Sequence, residues 1–251
     1  MEKPFIALQL YTVRDFTASD VTGTLRKVKE MGYDYVELAG TYGMDFVAFR
    51  GLLDEIGLKA ISAHVMPDAL KEDMAKTISD YKSLGCEYVI IPMIGEESLP
   101  GGDKCEKAFF EKFCVACGEA GVVPAYHNHA FEFKKLPCGT FILDKLFEDI
   151  PALQAELDTG WVRAAGQDPE AYITKYASRC PVVHLKDTIE SGDGFEDRPV
   201  GKGSQDIPAI IQAANAAGAA GFVVELDNAV GITSLQAAEE SLRYLNSGMS
   251  S

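Results

Sequence analysis

Short apolar runs and amphipathic helical patterns alternate eight times along this chain of 251 residues. The apolar runs, rich in β-branched and aromatic residues, comprise residues 5–13, 34–40, 59–65, 87–93, 122–129, 153–158, 182–187 and 221–227. Several helical patterns end in glycine, as at Gly57 and Gly121, where a left-handed residue stops the helix. Strict alternation predicts a parallel sheet covered by helices, and eight strands close into a barrel. We therefore predict an α/β protein with one (β/α)8 barrel domain over residues 1–251.

An open, doubly wound sheet is the alternative architecture for alternating strands and helices. Such sheets usually carry a glycine-rich phosphate loop directly after the first strand. Here the corresponding residues 11–20, YTVRDFTASD, contain no glycine. The barrel is therefore favoured over the open sheet.

Charge and hydropathy restrict the partners of this chain. A formal charge of −15 and the lack of a Lys/Arg cluster oppose nucleic-acid binding. No run approaches the roughly 18 apolar residues that span a bilayer, and the first residues, MEKPFIALQL, lack the apolar core of a signal peptide. We expect a cytoplasmic protein without membrane contact. The sequence does not determine the oligomeric state, and a homo-oligomer is compatible with it.

All four histidines lie at or near the downstream end of an apolar run, and two further runs end in carboxylates. These strand-end residues are His64, His127, His129, Asp158, His184, Glu225 and Asp227. The active site of a (β/α)8 barrel lies at the carboxyl-terminal ends of its strands, so we expect these side chains to converge. Neutral nitrogens and carboxylates gathered in one place are what a divalent metal or a proton-transfer site requires.

Alternation along a strand places residues i and i+2 on the same face. This pairs His127 with His129, His184 with Lys186, and Glu225 with Asp227. We predict Asp158 and His184 as co-ligands of one divalent ion, with Glu225 completing a carboxylate-rich site. Such N/O ligation suits Mn²⁺, Co²⁺, Mg²⁺ or Zn²⁺ and does not choose among them. For any single residue of the set, the alternative is a hydrogen-bonded polar group of the barrel rim or core.

Sequence motifs are spread over nearly the whole chain. They are QLYTVRD (9–15), MGYDYVELAG (31–40), SAHV (62–65), YHNHAFEF (126–133), ELDTGW (156–161), GQDPEAYI (166–173), VVHLKD (182–187), RPVGKGSQD (198–206) and VVELD (223–227). Together they resemble the sugar phosphate isomerase/epimerase family of the xylose isomerase-like TIM barrel superfamily, the AP endonuclease family 2 type. The resemblance implies one divalent metal held by a Glu, an Asp, a His and a second Glu from successive strand ends. Asp158, His184 and Glu225 match the last three of those positions.

The first ligand position departs from the family pattern. Relatives often place Glu where the fifth strand leaves the barrel, and the closest positional match here is His127. The nearest carboxylate is Glu132, which a bulge after the strand would bring into the site. We rank Glu132 first as ligand, with His127 as its competitor. The choice matters because epimerases of this superfamily are understood to use two metal-binding glutamates as opposed acid and base.

The other candidate residues flank this ligand set. Catalytic roles are expected for Glu225, Lys186, His129 and His127, and substrate contacts for His64, Glu37, Arg198 and Trp161. Lys186 could hold an enediolate oxygen or act as a base, or pair structurally with a neighbouring aspartate. Arg198 and Lys202 lie in a glycine-rich loop, residues 190–203, where they either bind a substrate group or remain solvated. Trp161 could stack on a sugar face or pack under the loop.

The leading functional hypothesis is a metal-dependent isomerase or epimerase. It would remove a proton next to the carbonyl of a sugar or keto-sugar, with the metal stabilising the enediolate. One alternative is a dehydratase or lyase of the same fold, similar to inosose dehydratase or to a lyase that eliminates from 3-keto-glycosides. The other alternative is a non-catalytic sugar-binding barrel, or a subunit of a hetero-oligomer. In each case the expected ligand is a small sugar.

Overall fold

The computed structural model describes residues 3–192 and 194–248, and it contains one closed barrel. Its strands are β1 (Phe5–Gln9), β2 (Tyr35–Leu38), β3 (Lys59–His64), β4 (Tyr88–Ile91), β5 (Val123–His127), β6 (Gln154–Asp158), β7 (Val182–Leu185), β8 (Asp187–Ser191), β9 (Gly194–Arg198) and β10 (Gly221–Val224). The barrel order is β1-β10-β7-β6-β5-β4-β3-β2, and all neighbouring strands are parallel. The predicted (β/α)8 barrel is confirmed, and each barrel strand lies within one of the eight apolar runs.

Helices follow the barrel strands and cover the wall. They are α1 (Arg14–Thr17), α2 (Val21–Glu30), α3 (Phe46–Ile56), α4 (Pro67–Glu72), α5 (Met74–Ser83), α6 (Lys107–Ala120), α7 (Ile142–Asp149), α8 (Thr159–Ala164), α9 (Pro169–Lys175), α10 (Ile207–Ala217) and α11 (Ser234–Gly248). In α3, the Asp45 carboxylate accepts the Ala48 N–H at 2.9 Å, and Gly57 ends the helix at φ +80°. Within residues 3–192 and 194–248, no helix has the length and apolar character needed to cross a membrane.

The barrel wall separates two apolar clusters. The inner cluster consists of Ala7, Ile61, Tyr88, Ile90, Ala125, Val182 and Val223. The larger outer cluster fills the space between the wall and the helices, with members such as Leu8, Phe49 and Phe113. Residues i and i+2 of a strand share a face, so Val182 and His184 on β7 both point into the barrel. Val182 belongs to the inner cluster, and His184 is the polar group that follows it. The inner cluster thus confines the polar side chains to the carboxyl-terminal half of the barrel.

A hairpin follows β7, where the sequence predicted a glycine-rich loop. Strands β8 and β9 pair antiparallel, with Asp187 opposite Arg198. The Asp197 carboxylate accepts the backbone N–H groups of Asp227 at 2.6 Å and Asn228 at 3.0 Å. These bonds fix the hairpin against the chain segment that leaves β10.

One buried carboxylate makes several bonds to the segment after the hairpin. Asp187 accepts backbone N–H groups of Gly201 and Gly203 at 2.9 Å and of Gln205 at 3.2 Å. A Cβ at Gly203 would lie 2.1 Å from an Asp187 oxygen, so only glycine permits this approach. The segment therefore has a defined conformation, unlike the flexible loop considered from the sequence.

Candidate metal centre and active site

Four buried side chains converge at the carboxyl-terminal ends of β5, β6, β7 and β10. They are His127, Asp158, His184 and Glu225, and one potential ligand atom from each lies within 4.8 Å of the others. The His184 Nδ1 is 3.0 Å from Glu225 Oε2, and the His127 Nε2 is 3.9 Å from Asp158 Oδ2. Two imidazole nitrogens and two carboxylates form a donor set that suits a divalent cation.

The two oxygens of Asp158 have separate roles. Oδ1 caps α8 by accepting the Trp161 N–H at 2.9 Å. Oδ2 is buried without a hydrogen-bond partner, and it lies 3.2 Å from the Lys186 ammonium. Buried carboxylate oxygens normally accept hydrogen bonds, so an oxygen that accepts none fits a cation ligand.

A second group of charged side chains overlaps the first and extends deeper into the barrel through Glu37 and Glu156. The His64 Nε2 is 2.7 Å from Glu156 Oε2 and 3.1 Å from Glu37 Oε1. The His184 Nε2 is 2.8 Å from Glu37 Oε1, and the His127 Nδ1 is 3.2 Å from Glu156 Oε2. His64, His127, Glu156 and His184 also satisfy the 4.8 Å distance condition for a metal group. The four residues His127, Asp158, His184 and Glu225 are called the outer group, and the second set is called the inner group. His127 and His184 belong to both, and each directs one ring nitrogen to the outer group and the other to an inner carboxylate.

The pKa shifts reflect an excess of negative charge around these histidines. Burial alone would lower the pKa of His64, but the carboxylates of Glu37 and Glu156 raise it to about 10. The same two carboxylates raise the pKa of His184 well above its usual value, against the effect of burial. Burial also raises the pKa of Asp158 to about 7. Protons therefore compensate the carboxylates here, and a divalent cation would supply that positive charge instead.

Two other histidines remain neutral at physiological pH. Burial lowers the pKa of His127 well below its usual range. Burial, together with the nearby Lys186 ammonium, lowers the pKa of His129 to about 4. The two rings are 5.2 Å apart, and His129 Nδ1 has no hydrogen-bond partner. A neutral imidazole with an unpaired nitrogen can accept a proton from a bound molecule.

Lys186 is buried among carboxylates. Its ammonium lies 3.2 Å from Asp158 Oδ2, 3.2 Å from Glu225 Oε2 and 2.5 Å from Asp227 Oδ2. It also lies 5.0 Å above the centre of the Trp161 ring. Burial alone would lower the pKa of Lys186, but these carboxylates raise it well above its usual value. The ammonium thus neutralises part of the charge of the outer group.

Glu132 lies outside the group of four. Its Oε1 accepts the Tyr126 hydroxyl proton at 2.8 Å, and its Oε2 accepts the His129 backbone N–H at 2.8 Å. Both oxygens are therefore engaged by protein donors, whereas His127 faces Asp158. Of the two residues that the sequence offers for this ligand position, His127 lies in the group of four and Glu132 does not.

A cavity of about 540 Å³ opens above the outer group. His64, His127, His129, Glu225 and Asp227 form its polar wall. The site is therefore open to a small molecule.

The predicted substrate contacts lie in different places. His64 lines the cavity, whereas Glu37 is fully buried beneath His184. Trp161 packs 5.4 Å from the His129 ring and does not line the cavity. Arg198 lies on the hairpin, where it binds Glu196 Oε2 at 2.8 Å. Of these four residues, only His64 reaches the cavity.

Sequence reasoning missed Glu156. This carboxylate is fully buried and contacts three histidines, and its Oε1 has no hydrogen-bond partner. A signal was present, because Glu156 lies two residues before Asp158 on the same strand and so shares its inward face.

Known proteins share this fold. A sugar phosphate isomerase/epimerase from Parabacteroides distasonis ATCC 8503 has 26% sequence identity and a TM-score of 0.80, covering 97% of this chain and 98% of its own. The IolI protein, solved with a bound zinc atom, has 16% identity and a TM-score of 0.74, covering 98% of both chains. At that identity, the second likeness shows the fold alone.

Sequence comparison gives a curated relative and a family. Inosose dehydratase from Geobacillus kaustophilus (strain HTA426) is 25% identical over 201 residues, which are 65% of this chain. The match spans 60% of the length of that enzyme. Residues 25–248 match the sequence model of the xylose isomerase-like TIM barrels. The chain therefore belongs to the xylose isomerase-like TIM barrel family.

Proposed function

We propose that this protein is a divalent-metal-dependent isomerase or epimerase of a sugar or keto-sugar. The observation that carries the proposal is the buried group of His127, Asp158, His184 and Glu225, which adjoins a cavity whose wall includes neutral His129. Acid/base groups beside a cation site suit proton removal from carbon next to a carbonyl. The family membership and the sugar isomerase/epimerase among the structural relatives support the same reaction class.

His127, Asp158, His184 and Glu225 would hold the cation, whether Mn²⁺, Co²⁺, Mg²⁺ or Zn²⁺. When bound, it would supply a Lewis acid that polarises the substrate carbonyl. The Oδ2 of Asp158, which accepts no hydrogen bond, and the carboxylate excess around His184 support this assignment. Glu132, with both oxygens bonded, is not included.

The reacting proton would move to a protein group at the polar wall of the cavity. His129 is the proposed acceptor, since its imidazole is neutral and lines the cavity. Lys186 would hold the negative oxygen that develops on the substrate, because its ammonium lies beside Glu225 and Asp227 at the cavity wall. Return of the proton to the neighbouring carbon gives isomerisation, and return to the opposite face of the same carbon gives epimerisation.

A dehydratase or lyase is the second candidate. The match to inosose dehydratase favours it, and elimination begins with the same proton removal. The two candidates differ only in the next step, in which a substituent on the adjacent carbon leaves instead of a proton returning.

Solvent exchange tests proton removal directly. Metal-loaded protein in D₂O would be offered a panel of ketoses, inososes and 3-keto-glycosides, with deuterium followed by NMR. We expect deuterium at a carbon next to the carbonyl, and in His129→Gln a loss of exchange of about 10²-fold or more. Turnover without exchange and without an isotope effect at that carbon would indicate intramolecular hydride transfer and refute the proposal. New olefinic signals would assign the reaction to the dehydratase class.

A further inference from the structure

The cavity above the metal group has an apolar wall in addition to its polar one. This apolar wall consists of Tyr11, Val65, Met66, Tyr81, Pro92 and Met93. Three of these side chains are well exposed, Tyr11 at 45%, Met66 at 53% and Met93 at 44%. Large apolar side chains that are exposed together beside a cavity mark a ligand surface. Methionine adapts its shape to aromatic and irregular apolar groups.

No lysine or arginine is among the described residues that line the cavity. In the function proposed above, the bound cation and the ammonium of Lys186, which already contacts three carboxylates, both serve the reacting carbonyl oxygen of the substrate. The Arg14 guanidinium donates to the backbone carbonyls of Tyr11 and Asp227 and stacks on the Tyr11 ring. A phosphate group in the cavity would therefore lack a free cationic partner, and it would face the carboxylates of Glu225 and Asp227.

We propose, resting on the function proposed above, that the substrate is an uncharged sugar derivative that carries an apolar or aromatic substituent. The sugar ring lies against the polar wall, beside His129 and Glu225. The substituent lies against the apolar wall, where Tyr11, Met66 and Met93 remove it from water. Phosphorylated sugars are poor ligands of this site.

Calorimetry with metal-loaded protein tests this assignment with three probes that carry no free carbonyl and do not react: methyl glucoside, phenyl glucoside and methyl glucoside 6-phosphate. The phenyl glucoside is expected to bind at least tenfold more tightly than the methyl glucoside, a difference of about 1.4 kcal/mol. The methyl glucoside 6-phosphate is expected to bind more weakly than either. Equal binding of the two glucosides, tightest binding of the phosphate, or no measurable binding of any probe would overturn the inference.

A charge substitution on the apolar wall makes the test specific to the cavity. Met66→Arg is expected to remove the preference for the phenyl group and to strengthen phosphate binding several-fold. The matched control is Val47→Arg, since Val47 on α3 is 84% exposed and does not line the cavity. The control should bind all three probes as the unaltered protein does. Equal behaviour of the two variants would refute the role of the apolar wall.

The two proposals fail in different ways. Deuterium exchange with simple ketoses, but no phenyl preference, would leave the proposed reaction intact and overturn the substrate class. A phenyl preference that Met66→Arg abolishes, without exchange on any carbonyl sugar, would overturn the proposed reaction and leave the binding surface intact.

Discussion

The proton of neutral His184 has to lie on Nε2 if Nδ1 is to bind a cation. Glu37 favours this tautomer, because its Oε1 lies 2.8 Å from His184 Nε2. Glu37 is itself fixed by the Gln9 amide at 2.7 Å and the Ser62 hydroxyl at 2.5 Å. Carboxylates that orient a metal-binding histidine in this way commonly contribute to metal affinity.

We therefore expect Glu37→Gln to weaken metal binding by about 10- to 100-fold while the barrel stays folded. Calorimetric titration with Zn²⁺ measures the affinity, and ¹⁵N NMR of the ring nitrogens reports the His184 tautomer. Glu119→Gln on the exposed side of α6 is the control. An unchanged affinity and tautomer would show that Glu37 has no positioning role.

Glu132 gives a prediction about stability and pH. Burial raises its pKa to about 7, against the opposing effect of its bonds from Tyr126 and the His129 backbone. Because the pKa of this carboxyl is higher in the folded state than in the unfolded state, where it is near 4.3, the carboxyl contributes most to the free energy of unfolding below pH 4.3. This contribution is lost as the pH rises to 7. Glu132→Gln, which cannot ionise, should therefore be more stable than the unaltered protein at pH 8, by up to about 3 kcal/mol.

Urea unfolding at pH 5 and pH 8 measures this difference. At pH 5 the two proteins should differ much less, because Glu132 is then mostly protonated in the folded state. Metal affinity should stay unchanged in Glu132→Gln and fall severely in His127→Ala. A loss of metal in the Glu132 variant would restore the sequence-based ranking of this residue as a ligand.

Sequence reasoning found many of the site residues, but it did not show which side chains form hydrogen bonds or ion pairs with one another. It identified Asp158, His184 and Glu225 because they end apolar runs. It did not identify Glu156, because only residues at the ends of the runs were considered, although polar and apolar residues alternate along β6 and place Glu156 on the same face as Asp158. One oxygen of Glu132 is engaged by a hydrogen bond from the Tyr126 hydroxyl, and no spacing rule predicts that bond.

At the scale of elements, the eight barrel strands were predictable and the hairpin was not. Barrel strands carry the apolar, β-branched residues that two-sided burial requires. Strands β8 and β9 are instead rich in charged residues, and most of their side chains are at least partly exposed. Such composition indicates a loop, and it gives no sign of the bonds of Asp197 to the segment after β10 that help to hold the hairpin.

Helix α8 controls the space available to Lys186. A Cβ at Gly160 would lie 2.7 Å from Lys186 Cγ and 2.9 Å from Cδ. Gly160→Ala should therefore displace the lysine and lower turnover at least tenfold. Alanine is otherwise favoured over glycine within helices by up to about 1 kcal/mol, so we do not expect unfolding.

The control is Gly51→Ala in α3, where an added Cβ meets no atom within 4 Å. It should raise the melting temperature slightly and leave turnover unchanged. Steady-state kinetics and thermal unfolding of both variants make the comparison. Full activity of Gly160→Ala would show that the position of Lys186 is not critical.

At the scale of the whole molecule, cation binding and folding are linked. The folded barrel gathers His127, Asp158, His184 and Glu225 from four strands, whereas the unfolded chain separates them by up to 98 residues in sequence. A cation therefore binds the folded state selectively and stabilises it. At 100 times its Kd, this stabilisation is about 2.7 kcal/mol.

We expect about one divalent ion per chain. When the ion is added to chelator-treated protein, the melting temperature should rise by about 5–10 °C, the shift that this stabilisation produces in a chain of this length. Elemental analysis gives the stoichiometry, and thermal unfolding with and without the ion gives the shift. In His184→Ala the shift should vanish. It is measured as the difference between the melting temperatures of that variant with and without the ion, so that any destabilisation by the substitution itself does not enter the comparison. Two ions per chain would implicate the inner group with His64 and Glu156 as a second site. An undiminished shift in His184→Ala would remove His184 from the ligand set, because a lost ligand must weaken the selective binding on which the shift depends.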